Sequence, residues 1–159
     1  MKIIGIDPGT GILGFGVIEA SAGGSLKLID GGVIRTLPTD GDSHRLKTIF
    51  DELTGIIKEH EPEVMSVEKL FFAQNVTTAM TVAQARGVVL LCSEQSGLSV
   101  FEYTPLQIKQ ALTGYGRADK KQMQEMVRVV LRLKEIPKPD DCADALAAAI
   151  CHSMTARFA

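Results

Sequence analysis

Two acidic residues stand where a buried strand would end. Asp7 follows the apolar residues 3–6, and Glu68 follows the mostly apolar residues 64–67. Burying a carboxylate in hydrocarbon without a compensating charge is very costly, so each side chain should lie at the mouth of a site beside a cation. Taken alone, Asp7 could instead cap the turn formed by residues 8–10. Two acids in the same position favour a shared site.

A second pair of acids lies near the start of the last predicted helix. Asp141 and Asp144 are three residues apart, so their side chains lie on one helix face about a turn apart. Asp140, which follows Pro139, is the better candidate for the N-cap, and this leaves the pair free for another role. Two solvated acids in a first helical turn are the alternative. A divalent metal would relieve the repulsion between the two carboxylates.

Together the four acids form an all-oxygen ligand set. Such a set suits Mg²⁺ or Mn²⁺ and argues against zinc. The three histidines are scattered and have no metal-ligand spacing. Two hard cations about 4 Å apart can activate a water and stabilise the leaving oxygen of a phosphodiester displacement. The sequence therefore predicts a metal-dependent hydrolytic site at Asp7, Glu68, Asp141 and Asp144.

Positive charge is concentrated in one segment. The whole chain has a net charge of −2, yet residues 105–138 hold eight basic and three acidic side chains. A basic stripe of this kind could follow the phosphates of a nucleic acid, although a solvated helix face has the same composition. Its basic residues are Lys109, Arg117, Lys120, Lys121, Arg128, Arg132, Lys134 and Lys138.

A glycine pattern near the N-terminus matches the sequence of the dinucleotide-binding motif but not the secondary structure that the motif requires. Residues 9–14 read G-x-G-x-x-G, and Asp30 lies at a suitable distance for a ribose contact. A dinucleotide site needs the last glycine to open a helix facing the pyrophosphate. Residues 14–18 continue as a strand instead, so we exclude this class of site.

The predicted elements form an α/β domain. Residues 2–7, 14–20 and 25–36 are predicted strands joined by short turns, which gives an antiparallel meander. Further strands are predicted at 64–68 and 98–103, and the helices at 43–61, 75–95, 105–112, 119–134 and 140–157. Crossovers of the β-α-β kind favour parallel strands. We therefore predict a mixed five-stranded sheet flanked by helices, in a single domain covering residues 1–159.

The composition predicts a cytoplasmic protein without a membrane span. Hydrophobic residues make up 45% and charged residues 23% of the chain. The longest uninterrupted apolar runs, residues 88–92 and 145–151, are much shorter than the roughly 20 residues of a membrane helix. The three cysteines show no C-x-x-C spacing, which favours reduced, buried thiols.

Four sequence blocks, taken in order, resemble the RuvC family. They are IGIDPG at residues 4–9, VEKLFFA at 67–73, QARG at 84–87 and DCADALA at 141–147. The resemblance implies an RNase H-like fold, a homodimer, and one or two Mg²⁺ ions per subunit, with Mn²⁺ as a substitute. It also implies paired symmetric nicks in four-way (Holliday) DNA junctions during recombination and repair, and the RuvA and RuvB branch-migration proteins as partners.

The resemblance also assigns roles to individual residues. The four acids match the metal-binding acids of the family, and Lys109 and Lys120 match basic positions near the scissile strand. Phe71 matches an aromatic that stacks on unpaired bases, although the sequence alone leaves open whether Phe71 or Phe72 faces DNA. We add Arg117 and Lys121 as DNA contacts from the basic stripe. Some relatives place histidine at position 141 and many place lysine at position 74, where this chain has Asp141 and Gln74.

Two other functions remain open at this point. The first is an actin-like or sugar-kinase ATPase, which also opens with a strand, an aspartate and a glycine-threonine turn but needs a second lobe. The second is a junction-binding module without catalysis. In such a module, four acids beside DNA phosphates would be unnecessary and costly.

Overall fold

The computed structural model describes residues 1–69 and 76–156. Five strands and five helices are found in this part of the chain. The strands are β1 (Lys2–Asp7), β2 (Ile12–Ala20), β3 (Leu26–Arg35), β4 (Val64–Glu68) and β5 (Ser99–Tyr103). The helices are α1 (Asp42–His60), α2 (Val76–Gln95), α3 (Pro105–Thr113), α4 (Lys120–Val130) and α5 (Asp140–Thr155).

The strands form one mixed sheet in the order β3-β2-β1-β4-β5. β1 pairs antiparallel with β2, and β2 antiparallel with β3, so the predicted meander is confirmed. β4 pairs parallel with β1, and β5 parallel with β4, as expected for strands joined through helices. The expected mixed five-stranded sheet flanked by helices is therefore present.

Each face of the sheet has its own core. One core contains α3, α4 and α5, and the other contains α1 and α2. α5 lies very close to the sheet because glycines in the strands leave room for its backbone. A Cβ added at Gly5 would lie 2.0 Å from the carbonyl oxygen of Ala145, and one added at Gly16 would lie 2.4 Å from Leu146 Cδ2.

α2 is far less buried than α5. Only Ala85, Val89, Cys92 and Ser93 of its residues are buried. By length and composition α2 could cross a membrane, and 22% of its most apolar stretch is buried in the protein. This is weak evidence for a membrane span, because a helix that is apolar for other reasons meets the same criteria.

α4 ends earlier than the predicted limit at residue 134. Its last residue is Val130, and Arg132 adopts a left-handed conformation with φ 54°. The backbone N–H groups of Arg132 and Leu133 donate to the carbonyls of Val129 (3.1 Å) and Arg128 (2.9 Å). This pair of bonds is a Schellman closure, which usually has glycine at the left-handed position. The sequence has no glycine there and so gave no signal for the end of the helix.

Candidate active site

The carboxyl ends of β1 and β4 bring two of the predicted acids to one edge of the sheet. The two strands are parallel neighbours, and Ile6 pairs with Val67. The next residues along the strands, Asp7 and Glu68, therefore leave the sheet side by side. Both are partly buried.

The first turns of α5 bring the second pair of acids to the same edge. α5 can approach β2 because Gly14 has no side chain: a Cβ there would lie 2.0 Å from the carbonyl oxygen of Asp141. Asp141 and Asp144 are partly buried, whereas the next residues along α5 are fully enclosed. The helix thus places its acidic end over the ends of β1 and β4.

The charge of Asp7 is strongly disfavoured in this environment. Burial, which is the largest cause, and the nearby carboxylates of Glu68, Asp144 and Asp141 together raise the pKa of Asp7 to about 8, against a smaller opposing effect of Lys120. All four predicted acids therefore act on one another electrostatically. A site that holds several carboxylates together needs a cation to keep them ionised.

Glu68 and Asp144 have the same kind of environment. Burial raises the pKa of Glu68, and the charge of Asp144 adds to this, while Lys109 and Lys120 lower it. Burial also raises the pKa of Asp144, and here the ammonium of Lys120 is the main opposing influence. Positive charge from α3 and α4 thus partly compensates the acidic cluster.

Lys120 is the basic group closest to the acids. Its Nζ lies 3.1 Å from Oδ2 of Asp140 and 3.6 Å from Oδ2 of Asp144. The prediction that Asp140 is the N-cap of the last helix is wrong. The N-cap is Pro139, which offers no side-chain acceptor, and the carboxylate of Asp140 accepts hydrogen bonds from Lys120 and from Gln124 Nε2 at 3.0 Å.

A small cavity of about 180 Å³ opens beside the acids. Glu68 and Asp144 line it together with Lys109 and Lys120. A cavity lined by both carboxylates and ammonium groups suits a phosphate. A cation held by the carboxylates can contact one phosphate oxygen, and a lysine can contact another.

The acids fit a hard divalent cation by their chemistry. Oxygen ligands from Asp7, Glu68, Asp141 and Asp144 are of the type that Mg²⁺ and Mn²⁺ prefer. Across residues 1–69 and 76–156, however, no three such side chains converge closely enough to enclose an ion. One of the four carboxylates, that of Asp144, is paired with Lys120.

The remaining basic residues differ in whether they are free to contact DNA. Arg117 is exposed in the turn between α3 and α4, and Lys121 is exposed in the first turn of α4. Arg128, from the same basic stripe, instead pairs with Glu125. Phe71 and Phe72 lie outside the described residues, so the choice between the two rings stays a prediction.

Arg45 lies near the loop after Asp7, and sequence reasoning missed it. Its Nε donates to the hydroxyl of Thr36 (2.9 Å), which donates to the carbonyl of Thr10 (2.5 Å). The hydroxyl of Thr10 in turn donates to the carbonyl of Thr81 in α2 (2.5 Å). This network ties the loop after Asp7 to α1, β3 and α2. No local sequence pattern predicts this network, because its residues are far apart in the sequence.

Comparison with solved structures defines the class of protein. A structure of T. thermophilus RuvC in complex with Holliday junction substrate superimposes with a TM-score of 0.92 at 35% identity, covering 99% of this chain and 96% of that chain. The yeast mitochondrial Holliday junction resolvase Ydc2 shares the fold, with a TM-score of 0.72 at 11% identity over 96% and 77% of the two chains. The protein therefore has the RNase H-like fold predicted from its sequence.

Sequence relatives give the family. The model of the family "Crossover junction endodeoxyribonuclease RuvC" matches residues 3–152. The RuvC proteins of Heliobacterium modesticaldum and Pelotomaculum thermopropionicum are 57% and 55% identical to this chain, over 98% and 96% of it and over 96% and 93% of their own lengths. The chain belongs to the RuvC family. It is a Holliday junction resolvase, a nuclease that hydrolyses DNA, as the sequence predicted. This family depends on divalent metal ions. The two alternative functions considered above are therefore set aside.

Proposed function

We propose that this Holliday junction resolvase cuts by paired symmetric nicks, with Asp7, Glu68, Asp141 and Asp144 as the ligands of Mg²⁺. The observation that carries the proposal is the raised pKa of Asp7, about 8, which results from burial and from the three other acids. Such a cluster is unfavourable for folding alone, so a role in binding a cation explains it best. One or two ions per subunit fit the four acids, and Mn²⁺ should substitute.

Each part of the site has a task in this proposal. Bound Mg²⁺ supplies Lewis acidity, which makes a water more acidic and offsets the charge on the scissile phosphate. The four carboxylates hold and orient the ion. Lys109 and Lys120, which line the same cavity, bind the phosphate oxygens of the strand to be cut. Arg117 and Lys121 extend this contact along the DNA backbone, and Phe71 stacks on an unpaired base.

Two subunits are needed for two symmetric cuts, and we assign their contact to α2. Its exposed apolar residues include Val76, Met80 and Leu91, which are 75%, 61% and 49% exposed. A twofold contact through this surface would cover them. We also place the protein in the cytoplasm, with no membrane contact, and take the RuvA and RuvB branch-migration proteins as its partners.

The central experiment compares the wild-type protein with the variant Asp7→Asn. A synthetic four-way junction and a linear duplex of the same sequence are incubated with Mg²⁺. We expect cleavage of the junction by the wild type and loss of cleavage in Asp7→Asn, with junction binding intact or tighter because a negative charge near phosphate is removed. The control variant is Asp51→Asn, an exposed acid of α1 that pairs with Lys47. Cleavage by Asp7→Asn at the wild-type rate would reject the assignment of Asp7.

The phosphate contact of Lys109 can be tested through the salt dependence of binding. Removing one phosphate contact lowers the slope of log K against log salt by about one unit. We therefore expect a shallower slope for Lys109→Ala than for the wild type, measured without Mg²⁺ so that no cleavage interferes. Lys27→Ala is the control, since Lys27 is exposed on β3, away from the acids. An unchanged slope for Lys109→Ala would remove this residue from the DNA contact.

A further inference from the structure

A second pocket lies on the other side of the start of α4. It has a volume of about 440 Å³ and lies between the end of α3, the following turn and the outer face of α4. It is lined by Thr113, Tyr115, Ala118, Lys121, Gln122, Glu125 and Met126. None of these residues belongs to the acidic cluster.

The aromatic ring at this pocket is exposed on a fixed backbone. Tyr115 is 57% exposed, so much of its ring is open to solvent. Its backbone N–H donates to the hydroxyl of Thr113 (3.1 Å), and its carbonyl accepts from the N–H of Ala118 (3.2 Å). Gly116 packs so closely on α3 that a Cβ there would lie 2.4 Å from Leu106 Cδ1. The loop therefore fixes the backbone that carries the ring, which reduces the entropic cost of ordering this segment on binding.

The charge around the pocket suits a nucleic acid strand. Lys120 and Lys121 are consecutive in the first turn of α4, so their side chains point about 100° apart around the helix. Lys120 reaches Asp144 at the acidic cluster, whereas Lys121 lines the pocket. The one acid in the lining, Glu125, is paired with Arg128, which offsets its charge. A strand whose phosphate binds Lys120 can therefore place its next phosphate near Lys121 and its base over the pocket.

We propose that this pocket binds an unpaired nucleobase of the DNA strand held at the acidic cluster, with Tyr115 stacking on the base and Lys121 binding the adjoining phosphate. The proposal rests on the function proposed above and adds a base-binding site to it. A base has an apolar face and polar edges. The apolar wall of Tyr115, Ala118 and Met126 matches the face, and the amide of Gln122 can bond an edge.

The test measures binding of four-way junctions in the absence of Mg²⁺ at fixed salt. Single abasic nucleotides are placed in turn at each position near the branch point. We expect Tyr115→Ala to weaken binding of the intact junction about tenfold, within the usual effect of removing one base–aromatic stack. Tyr115→Phe should bind like the wild type because it keeps the ring. Tyr115→Leu should bind like Tyr115→Ala, because leucine fills the space without an aromatic face.

The abasic series identifies the partner of the ring. At one position, loss of the base should weaken binding by the wild type as much as Tyr115→Ala weakens binding of the intact junction. On that abasic junction the wild type and Tyr115→Ala should bind equally. Val129→Ala is the matched control, because Val129 is 51% exposed on α4 but does not line the pocket. Thermal melting of each variant shows whether it is folded.

The outcomes separate this proposal from the proposed function. If Tyr115→Ala loses the same factor at every abasic position, or if Tyr115→Leu binds like the wild type, the pocket does not stack a base and the inference fails. The inference also fails if Tyr115→Ala binds intact junctions as tightly as the wild type does, while the wild type cuts junctions. If the wild type fails to cut junctions in Mg²⁺ but the coupling between Tyr115 and one base persists, the proposed nuclease function at the acids fails instead.

Discussion

Two apolar helices of this protein have opposite environments. α5 is buried along almost its whole length from Cys142 to Ser153, whereas most of α2 is partly or fully exposed. The cause lies in the surface that each helix meets. β1 and β2 present Gly5, Gly14 and Gly16 to α5, and these let its backbone approach the sheet. α2 meets no comparable surface within the described residues.

This difference shows that the composition of a helix does not determine whether it is buried. An apolar helix is buried inside its own subunit when the facing surface is shaped for it. Otherwise it exposes an apolar patch, and such patches commonly mark interaction sites. α5 therefore acts as a rigid support for Asp141 and Asp144, and the exposed surface of α2 is where we propose that a partner subunit binds. Four predictions, in order of decreasing expected effect, test this contrast.

The largest effect is expected at the contact between β1 and α5. In Gly5→Ala the new Cβ would lie 2.0 Å from Ala145 O and 2.8 Å from Ala149 N, so a strand or the helix must move. We expect a loss of about 3 kcal/mol or more in the free energy of unfolding, measured by urea denaturation. A loss below about 1 kcal/mol would show that α5 can shift freely on the sheet.

The acidic cluster between β1 and α5 should make the stability of the metal-free protein depend on pH. The pKa of Asp7 is about 8 in the folded state against an ordinary value of 3.8. Between these values the folded state holds a proton that the unfolded state has lost, so stability should fall as pH rises from about 4 to about 8. Asp7→Asn should remove much of this fall and be more stable by a few kcal/mol at pH 8, at about 1.4 kcal/mol per pKa unit.

Melting curves in EDTA across this pH range measure the effect, with Asp51→Asn as the control because this exposed acid lies on α1. Identical pH dependence in the wild type and in Asp7→Asn would contradict the environment described for Asp7.

Charged substitutions on the exposed surface of α2 should weaken dimerisation without destabilising the monomer. The double variant Met80→Glu, Leu91→Glu places two charges where a partner subunit is proposed, and both residues are already exposed. We expect dimerisation to weaken by about 2 kcal/mol or more, while the unfolding free energy of the monomer changes by less than about 1 kcal/mol. Sedimentation equilibrium measures the first and denaturation at low concentration the second. Val129→Glu on α4 is the control, and equal association in both variants would exclude α2 as the interface.

The smallest effect concerns Gly87 in α2. A Cβ there would meet no atom within 4 Å, so Gly87→Ala should stabilise the monomer by about 0.5–1 kcal/mol through helix propensity. Gly55→Ala in α1, where the surroundings are equally open, should give a similar gain. If the gain at Gly87 falls below that at Gly55 only when the protein is dimeric, a partner subunit packs against Gly87.

Much of the fold could be predicted because the signals are local. The strand at residues 64–68 and the starts of α3 and α5 agree with the prediction to the residue. β2 begins at Ile12, two residues earlier than predicted, because the tight turn at Gly9 takes fewer residues than its glycine content suggested. The end of α4 was missed because Arg132 occupies a position that glycine usually marks.

The site could be predicted only in part. The convergence of Asp7 and Glu68 follows from two parallel strands, which the chain order predicts. The ion pairs of Lys120 with Asp140 and Asp144, and the network from Arg45 to Thr10, depend on how distant elements pack. Tyr115 gave no signal either, because an exposed aromatic cannot be told from a core aromatic without the structure.

The glycine-lined contact of α5 also has a consequence for folding during synthesis. β1 and β2 pair locally and can form as soon as residues 2–20 have left the ribosome, but the helix that covers their glycine face consists of residues 140–155. Until then the face has no cover from α5, and contacts between such distant segments form slowly. The nascent chain should therefore depend on chaperones or stay loosely folded until residue 155 emerges, and ribosome-bound chains halted before residue 140 should be digested readily by protease.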